Sequence, residues 1–580
     1  MFLTALPSEI IIKILGLTEP TDIRSCQLVC QKLRVLVASS SYLQYILELD
    51  ACGYTVPLFV RSDLSYEGMV RILSEHRNGW EDPSNHKPEF IELPPQPAIS
   101  TSFTCGIFAY GYANDALNAQ MDVMDTIHFH QLQSRNKSTG YSHWYHDDFG
   151  FPIEEFAFQP EIDLLILIEG VVLEQEAGTE GDMYDQRLHR TYRLHFRTIS
   201  TNDPHWLAGL PVLDTRLTGN LGERKFYETR IIISLYGRMV MLRSGAENQG
   251  AKNAIVVWDW VEGIEILRIN IPLSQIPPHY FSYLLSERYL VVSRTAPTSP
   301  DPSITKLGLL NIYHLRSEPG GARSVVTFEL PTLCLPHTNW HYVRMASGPP
   351  RVPYTPYWST QMEHNSSISE IAPQNQLLIL LFCIPKLHDQ TQYYFHSLLH
   401  IPVQILLDYA ETKAEEHPSV VPWSAWGAKV TWIEISSYIL PRLFSLSMRI
   451  SIRNLHCYLP SSESKSQNIQ ESKDQLAILD FDPQRLGFAR AARREQANNA
   501  RDPSHSKGSE GTSSAAFMTC QDALGHPMFK TPVNMAPLYR KLHLGADFLP
   551  IQAAYDEPCM IDDEHIVIVA ETYPVKCSHA

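Results

Sequence analysis

The residues of this 580-residue chain best suited to chemistry by type and spacing are His128, His130, His143, His146, Asp147 and Asp148. Residues two apart on a strand point to the same face, so His128 and His130 have the spacing of a metal-binding pair. Two features weigh against a metal centre: the neighbouring Ser, Gly and Asn residues have the composition of a surface loop, and 24 histidines in one chain make such clusters common by chance. No metal and no cofactor are therefore expected. The sequence also has no phosphate-cradling Gly-rich loop with its Lys, no dinucleotide fingerprint, no HExxH and no nucleophile elbow. This favours a binding protein over an enzyme. A second cluster is aromatic: Trp340, Tyr342, Tyr354, Tyr357 and Trp358 stand in the Pro-rich segment HTNWHYVRMASGPPRVPYTPYW, which is too long for a simple turn. Such a segment either packs over a core edge or binds a ligand, and it is the candidate substrate surface.

The elements that must carry these residues are strands. From Phe103 onward, short runs of Val, Ile, Leu, Tyr and Phe are bounded by Gly, Pro, Asn and Asp. They recur in pairs. Asp163 leads into Leu164 to Ile168, answered by Tyr192 to Ile199; Gly237 leads into Met239 to Leu242, answered by Ile255 to Trp260. Glu287 leads into Tyr289 to Val292, answered by Leu309 to Tyr313; Asn375 leads into Leu377 to Leu380, answered by Ser397 to Ile405. A weaker pair joins Met448 to Leu455 with Leu476 to Phe481, and Ile566 to Val569 closes the series as a lone strand. Consecutive antiparallel strands around an axis would give this rhythm, so a degenerate β-propeller is expected, with another antiparallel barrel or a sandwich as the alternative. Trp258-Asp259 is a weak WD-like sign, because a Trp at a strand end more often serves plain core packing. Residues 461–474 and 484–514 are polar, break the rhythm and read as solvated, disordered insertions.

The N-terminal region is different in kind. Ile10 with Ile14, and Ile11 with Leu15, lie four apart, so apolar residues cover more than one strip of a helix. Pro20 breaks the pattern, Thr21 and Asp22 offer an N-cap, and Ile23, Cys26, Leu28, Val29, Cys30, Leu33 and Leu36 continue at helical spacing to Ser39. A third helix starts near Tyr42 and Gly53 is placed to end it. A unit this short, below roughly 70 to 80 residues, rarely has a self-sufficient core, so its apolar surplus calls for either a partner protein or the chain's own body. Met69, Ile72, Leu73 and His76 mark one further amphipathic helix ending near Gly79. Pro83, Pro88, Pro94, Pro95 and Pro97 then exclude helix and set a boundary.

Composition narrows the partners. With 47 Lys plus Arg against 63 Asp plus Glu, the net charge of -16 repels a nucleic-acid backbone. The ten cysteines show no paired spacing, and Cys26 and Cys30 face an apolar stripe, as small core residues of a reduced, intracellular protein do. The N-terminus lacks a basic n-region, and the longest apolar run, Leu377 to Ile384, is far short of the ~20 residues that span a bilayer. A cytoplasmic or nuclear location without membrane attachment follows.

Leu6-Pro7 followed by Glu9, the Ile14-Leu15 pair, the Asp22-Ile23 helix start and the Leu28-Val29-Cys30 run with Arg34 four residues on resemble the F-box motif. Leu33 departs from it, standing where many members carry an aromatic residue. The stretches LQYILELDACGY, LLILIE, YRLHFRTIS, VVWDWVEG and SERYLVV resemble the F-box proteins of mushroom-forming fungi, whose C-terminal body is a divergent all-β domain with no assigned chemistry. The resemblance implies a substrate-receptor subunit of a cullin-RING (SCF-type) E3 ubiquitin ligase. Leu6, Pro7, Ile10, Ile14, Leu15, Ile23, Leu28, Val29 and Cys30 would supply both the contacts to a Skp-type adaptor and the small helical core, and a β body would hold a protein substrate. The expected architecture is α+β by modules: an all-α F-box at 1–50, a helical adapter and Pro-rich linker at 51–100, and a mostly antiparallel all-β, propeller-like body at 101–580. The rivals are an F-box scaffold without a role in ubiquitin transfer and a propeller-based metal-dependent hydrolase using the His128 to Asp148 cluster.

Overall fold

The computed structural model of the chain describes residues 5–57, 60–81, 91, 93, 96, 98–115, 118, 123–172, 188–221, 231–244, 253–271, 281–294, 305–315, 324–333, 342–345, 368–371, 377–388, 391–413, 418–435, 457–461, 475–480, 517–518, 539–543, 559–561 and 565–568. It opens with helices α1 (Ser8–Leu15), α2 (Pro20–Val29), α3 (Gln31–Ser39), α4 (Ser41–Ala51) and α5 (Tyr66–Glu81), and antiparallel sheets follow. The continuous helix expected after Pro20 is two helices. Cys30 is fully extended between them at φ -159°, ψ 161°, and this break lets Leu33, Leu36 and Val37 of α3 turn onto Ile11, Leu15 and Ile23. No Gly or Pro marks the break, so packing rather than local propensity places it. Pro20 is itself the first helical residue of α2, where its missing N–H costs nothing, and no side chain caps that end. Gly53 closes α4 at φ 73°, as its position implies.

Six main sheets succeed one another along the described residues. The first contains Ser100–Thr104, Ile107–Tyr112, Thr126–Gln131 and Ser142–His146. The second contains Ile153–Gln159, Leu164–Val172, Leu188–Thr198 and Val212–Leu221. The third contains Ile232–Tyr236, Met239–Ser244, Asn253–Asp259 and Ile264–Ile271. In the fourth, Ser282–Leu284, Tyr289–Arg294, Leu309–His314 and Ser324–Glu329 are joined in parallel by the later Ser419–Val421. The fifth contains Tyr342–Met345, Leu377–His388, Thr391–Pro402 and Thr431–Ile435, and the sixth orders Cys457–Ser461, Gln475–Asp480, Tyr539–His543 and Phe517–Met518.

The apolar runs read from the sequence are inner strands of these sheets, and their lack of alternation has a physical cause: both faces are covered. Leu165 and Leu167 pack on the first sheet through Ile107, Ile127 and Phe129, while Leu164, Ile166 and Ile168 pack on Val240, Leu242, Val256 and Trp258 of the third. Met239 and Met241 turn the other way, onto Leu290 and Val292 of the fourth sheet. Tyr289 and Val291 face Leu378, Leu380 and Phe382 of the fifth. Each sheet therefore lies face to face with its sequence neighbours across this series. Turn chemistry agrees. Asp163 takes the left-handed conformation at φ 53°, and its carboxylate accepts hydrogen bonds from Ser200 N at 2.9 Å and Ser200 Oγ at 2.6 Å. Gly237, at φ 56°, opens the turn between Tyr236 and Met239. At the WD-like dipeptide, Trp258 is core, and Asp259 accepts from the backbone N–H groups of Val261 and Glu262, both at 3.1 Å, and pairs with Arg238 at 2.8 Å.

Two further expectations are corrected. The run Ser397 to Ile405 stops being strand at Pro402, and Val403–Lys413 is helical, burying Leu406 and Ala410 in the core shared by the fourth and fifth sheets. Ile566–Ile568 is not a lone strand: it pairs antiparallel with Cys559–Ile561. The Met448 to Leu455 run, residues 462–474, residues 484–514 and the five prolines at 83, 88, 94, 95 and 97 lie outside the described residues.

Candidate functional site

The helical module sorts its apolar residues into two populations. Ile11, Leu15, Ile23, Leu33, Leu36, Val37, Leu43 and Ile46 form a buried core, with Leu6, Cys26 and Cys30 packed against it. Ile10 (43% exposed) and Ile14 (37%) lie four apart on the outer stripe of α1, and Leu17 (90%) is exposed in the turn that follows it. Leu28 (79%) and Val29 (72%) end α2 exposed, and Val35 on α3 is exposed as well. Of the nine residues singled out from the sequence, Leu15 and Ile23 are thus core, Leu6 and Cys30 flank it, Pro7 is exposed ahead of α1, and Ile10, Ile14, Leu28 and Val29 are offered to solvent. Leu17 and Val35 were missed; Leu17 stands in the turn after α1 and Val35 beside core-forming residues on α3, and neither position carries a sequence signal that separates outward from inward.

Polar contacts fix the angle between the helices. Ser40 caps α4 by accepting from Leu43 N at 3.4 Å, Gln44 Nε2 donates to Val37 O at 2.9 Å, and Arg24 pairs with Asp50 at 2.6 Å. The module is also tied to the β body. Tyr45 is fully buried and its hydroxyl donates to the carbonyl of Ile368, 323 residues away, at 2.7 Å; burial raises its phenol above the ordinary value. Tyr45, Leu49 and Tyr54 share a core with Met69 and Leu73 of α5 and with Ile368. Tyr54 and Thr55 pair as a short strand with Ile371 and Glu370. Asn136, beyond the third strand of the first sheet, bridges back: its Oδ1 accepts from Ile368 N at 2.9 Å and its Nδ2 donates to Ser369 Oγ at 3.1 Å.

The 3–44 segment matches the family model described as F-box-like. The chain carries an F-box-like domain over this N-terminal segment. No curated protein matches it. Among solved structures, an uncharacterized protein from Listeria monocytogenes EGD-e overlays with a TM-score of 0.24 and 8% identity, over 60% of this chain and 81% of that one, a likeness too slight to define a fold. Among the described residues no helix is long and apolar enough to cross a membrane.

The histidine cluster comes together in part. His128 and His130 share one face of Thr126–Gln131, and His143, opposite His130 in register on the next strand, joins them. His128 Nδ1 lies 2.9 Å from His143 Nε2, and the His130 and His143 rings stack with centroids 4.4 Å apart. The tyrosines Tyr112 and Tyr141 hold the far nitrogens, with Tyr112 Oη 3.2 Å from His128 Nε2 and Tyr141 Oη 3.0 Å from His130 Nδ1. Burial, reinforced by the two neighbouring imidazoles, pushes His130 down to about 4, so it is neutral at physiological pH. Burial also lowers His128, with a further push from His143. His146 is elsewhere, its Nε2 2.7 Å from Ile199 O, and Asp147 and Asp148 are exposed on the following loop. Of the aromatic segment, Tyr342 begins a strand of the fifth sheet; Trp340, Tyr354, Tyr357 and Trp358 lie outside the described residues.

Proposed function

We propose that this F-box protein is the non-catalytic substrate receptor of a cullin-RING ubiquitin ligase, docking a Skp-type adaptor through its helical module and a protein substrate through its β body. The observation that carries the reading is the F-box-like segment with Ile10, Ile14, Leu17, Leu28, Val29 and Val35 left exposed on a module whose own core is complete. A stable interface of this kind covers about 800 Å² per partner and is anchored by a few apolar side chains. The β body is read as a propeller. Its succession of sheets packed face to face supports this, as does the return of His565, whose Nε2 lies 2.8 Å from Gln133 O, to the loop after the first sheet's third strand. The receptor makes and breaks no bonds; it raises the effective concentration of substrate lysines near a charged conjugating enzyme. The anchoring of α4 and α5 on Ile368 through Tyr45 and Leu73 favours a fixed offset between adaptor and substrate over a flexible tether.

Co-purification of adaptor and cullin with the full chain, and its loss in an Ile14→Lys, Leu28→Lys variant, tests the docking step. Stabilised proteins on deletion of the gene test the receptor role against a scaffold that binds adaptor without ubiquitin transfer. Trp340, Tyr342, Tyr354, Tyr357 and Trp358 are the first substrate-facing residues to substitute.

A further inference from the structure

We propose that His128, His130 and His143 form a three-histidine site for a divalent transition metal of the zinc class on the first sheet of the β body. Their ligand nitrogens lie within 4.8 Å of one another, supplied by adjacent antiparallel strands of a rigid sheet. Zinc at about 2.0–2.1 Å from each imidazole in tetrahedral geometry puts ligand nitrogens roughly 3.3 Å apart. His128 and His143 are already within that separation at 2.9 Å. His143 is exposed, so its ring is free to make the remaining adjustment.

Three observations separate this cluster from plain ring stacking. First, His130 is only 3% exposed, yet its Nε2 is buried and makes no hydrogen bond. An orphaned buried polar atom is costly, and coordination removes that cost. Second, the two tyrosine hydrogen bonds occupy nitrogens a metal would leave over, Tyr141 Oη on His130 Nδ1 and Tyr112 Oη on His128 Nε2. The third bond, His128 Nδ1 to His143 Nε2, joins two converging nitrogens that an ion placed between them would take over. His130 Nε2, His128 Nδ1 and His143 Nε2 then face the ion, with the tyrosines fixing the tautomer and ring orientation of His130 and His128. Third, the rest of the face is aromatic. Phe108, Tyr110, Tyr112 and Tyr145 surround the imidazoles, and Tyr110 stacks on His128 at 5.1 Å and on His130 at 5.7 Å. Stacking alone is served by such rings, whereas three imidazoles with converging nitrogens serve coordination. An all-nitrogen set without thiolate or carboxylate suits zinc, copper or nickel and not magnesium or calcium. Three protein ligands leave a fourth position for water or for a carboxylate or imidazole of a bound peptide. The site lies on the β body, apart from the helical module that docks an adaptor.

The test uses the full, tag-free chain, stripped with a chelator and titrated with zinc(II) by calorimetry, and with cobalt(II) by visible absorption. The expected result is one equivalent bound with micromolar or tighter affinity and the d–d spectrum of a nitrogen-ligated tetrahedral cobalt. His130→Phe keeps the stacked ring but removes the ligand and should abolish the site. His143→Ala, at an exposed position, should weaken binding at least tenfold, and Tyr141→Phe about 10- to 100-fold through the lost outer partner. Far-UV circular dichroism of each variant should match the parent. Absence of zinc uptake by the folded chain, or unchanged affinity in both His130→Phe and His143→Ala, overturns the proposal. Adaptor capture is read separately and should be the same in all of these proteins.

Discussion

Ile14 and Leu15 are neighbours on α1 with opposite surroundings, and substituting them separates docking from folding. Fully burying a Leu or Ile side chain contributes about 1.5–3 kcal/mol relative to leaving it in water. Leu28 is 79% exposed and Ile14 37% exposed, so an adaptor that covers both recovers about 1.2–2.4 and about 0.6–1.1 kcal/mol respectively. The sum, about 2–3.5 kcal/mol, corresponds to a loss of roughly 30- to 400-fold in affinity when both anchors are removed. Lysine is the replacement of choice because both positions lie in the last turn of their helices, where a cation suits the helix dipole. The free chain should therefore keep its stability to within about 0.5 kcal/mol. Leu15→Ala, by contrast, opens a cavity among Ile11, Ile23 and Leu33 and should destabilise the helical module by about 2–5 kcal/mol. Calorimetric titration with purified adaptor, alongside hydrogen exchange of residues 8–51, reads both quantities. Adaptor affinity within threefold of the parent in Ile14→Lys, Leu28→Lys would refute the assignment of the exposed stripe. Exchange of α1 accelerated in that variant as much as in Leu15→Ala would refute the sorting of the two residues.

Tyr45→Phe leaves the Ile368 carbonyl without its hydroxyl donor and should destabilise the junction between α4 and the β body by about 1–3 kcal/mol, visible as faster exchange over residues 41–51 and 368–371. Trp260, fully buried with Nε1 donating to Gly237 O at 2.9 Å, ties a turn of the third sheet to the core; Trp260→Ala should cost about 3–5 kcal/mol in denaturant unfolding of the β body. His400, buried in the fifth sheet, is held down to about 3 by burial alone. Its native pKa is depressed below the ordinary 6.5, so its contribution to stability is complete above pH 6.5 and is lost as pH falls from there toward 3, by up to about 1.4 kcal/mol per pH unit. Denaturation midpoints measured from pH 7 to pH 4.5 should show this slope, and His400→Leu should flatten it. Zinc titration of the His128, His130, His143 site completes the set.

The inner strands were legible because their signal is strong and local: a strand covered on both faces must be apolar at every position, as Leu164 to Ile168 and Tyr289 to Val292 are. The flanking strands were not, since Ile153–Gln159 and Ser142–His146 carry polar residues that reveal no period until a neighbour fixes the register. Pro402 stands where strand 391–402 gives way to helix 403–413, but the apolar residues after it continue like a strand run, and burial of Leu406 and Ala410 beneath the sheets goes with the helix. The histidines illustrate the same limit. Spacing placed His128 and His130 on one face, whereas His143 joined them through cross-strand register and His146 left because its side chain falls on the opposite face.

The sequence by itself determined the two kinds of material in this protein: helical periodicity with F-box spacing at one end, and apolar strand runs bounded by turn residues over the rest. Those signals depend on covalent neighbours and survive without the fold. Which of Ile14 and Leu15 meets solvent, where Cys30 breaks a helix, and how Tyr45 reaches a carbonyl 323 residues away depend on groups brought together only by packing, and the tertiary structure decided them.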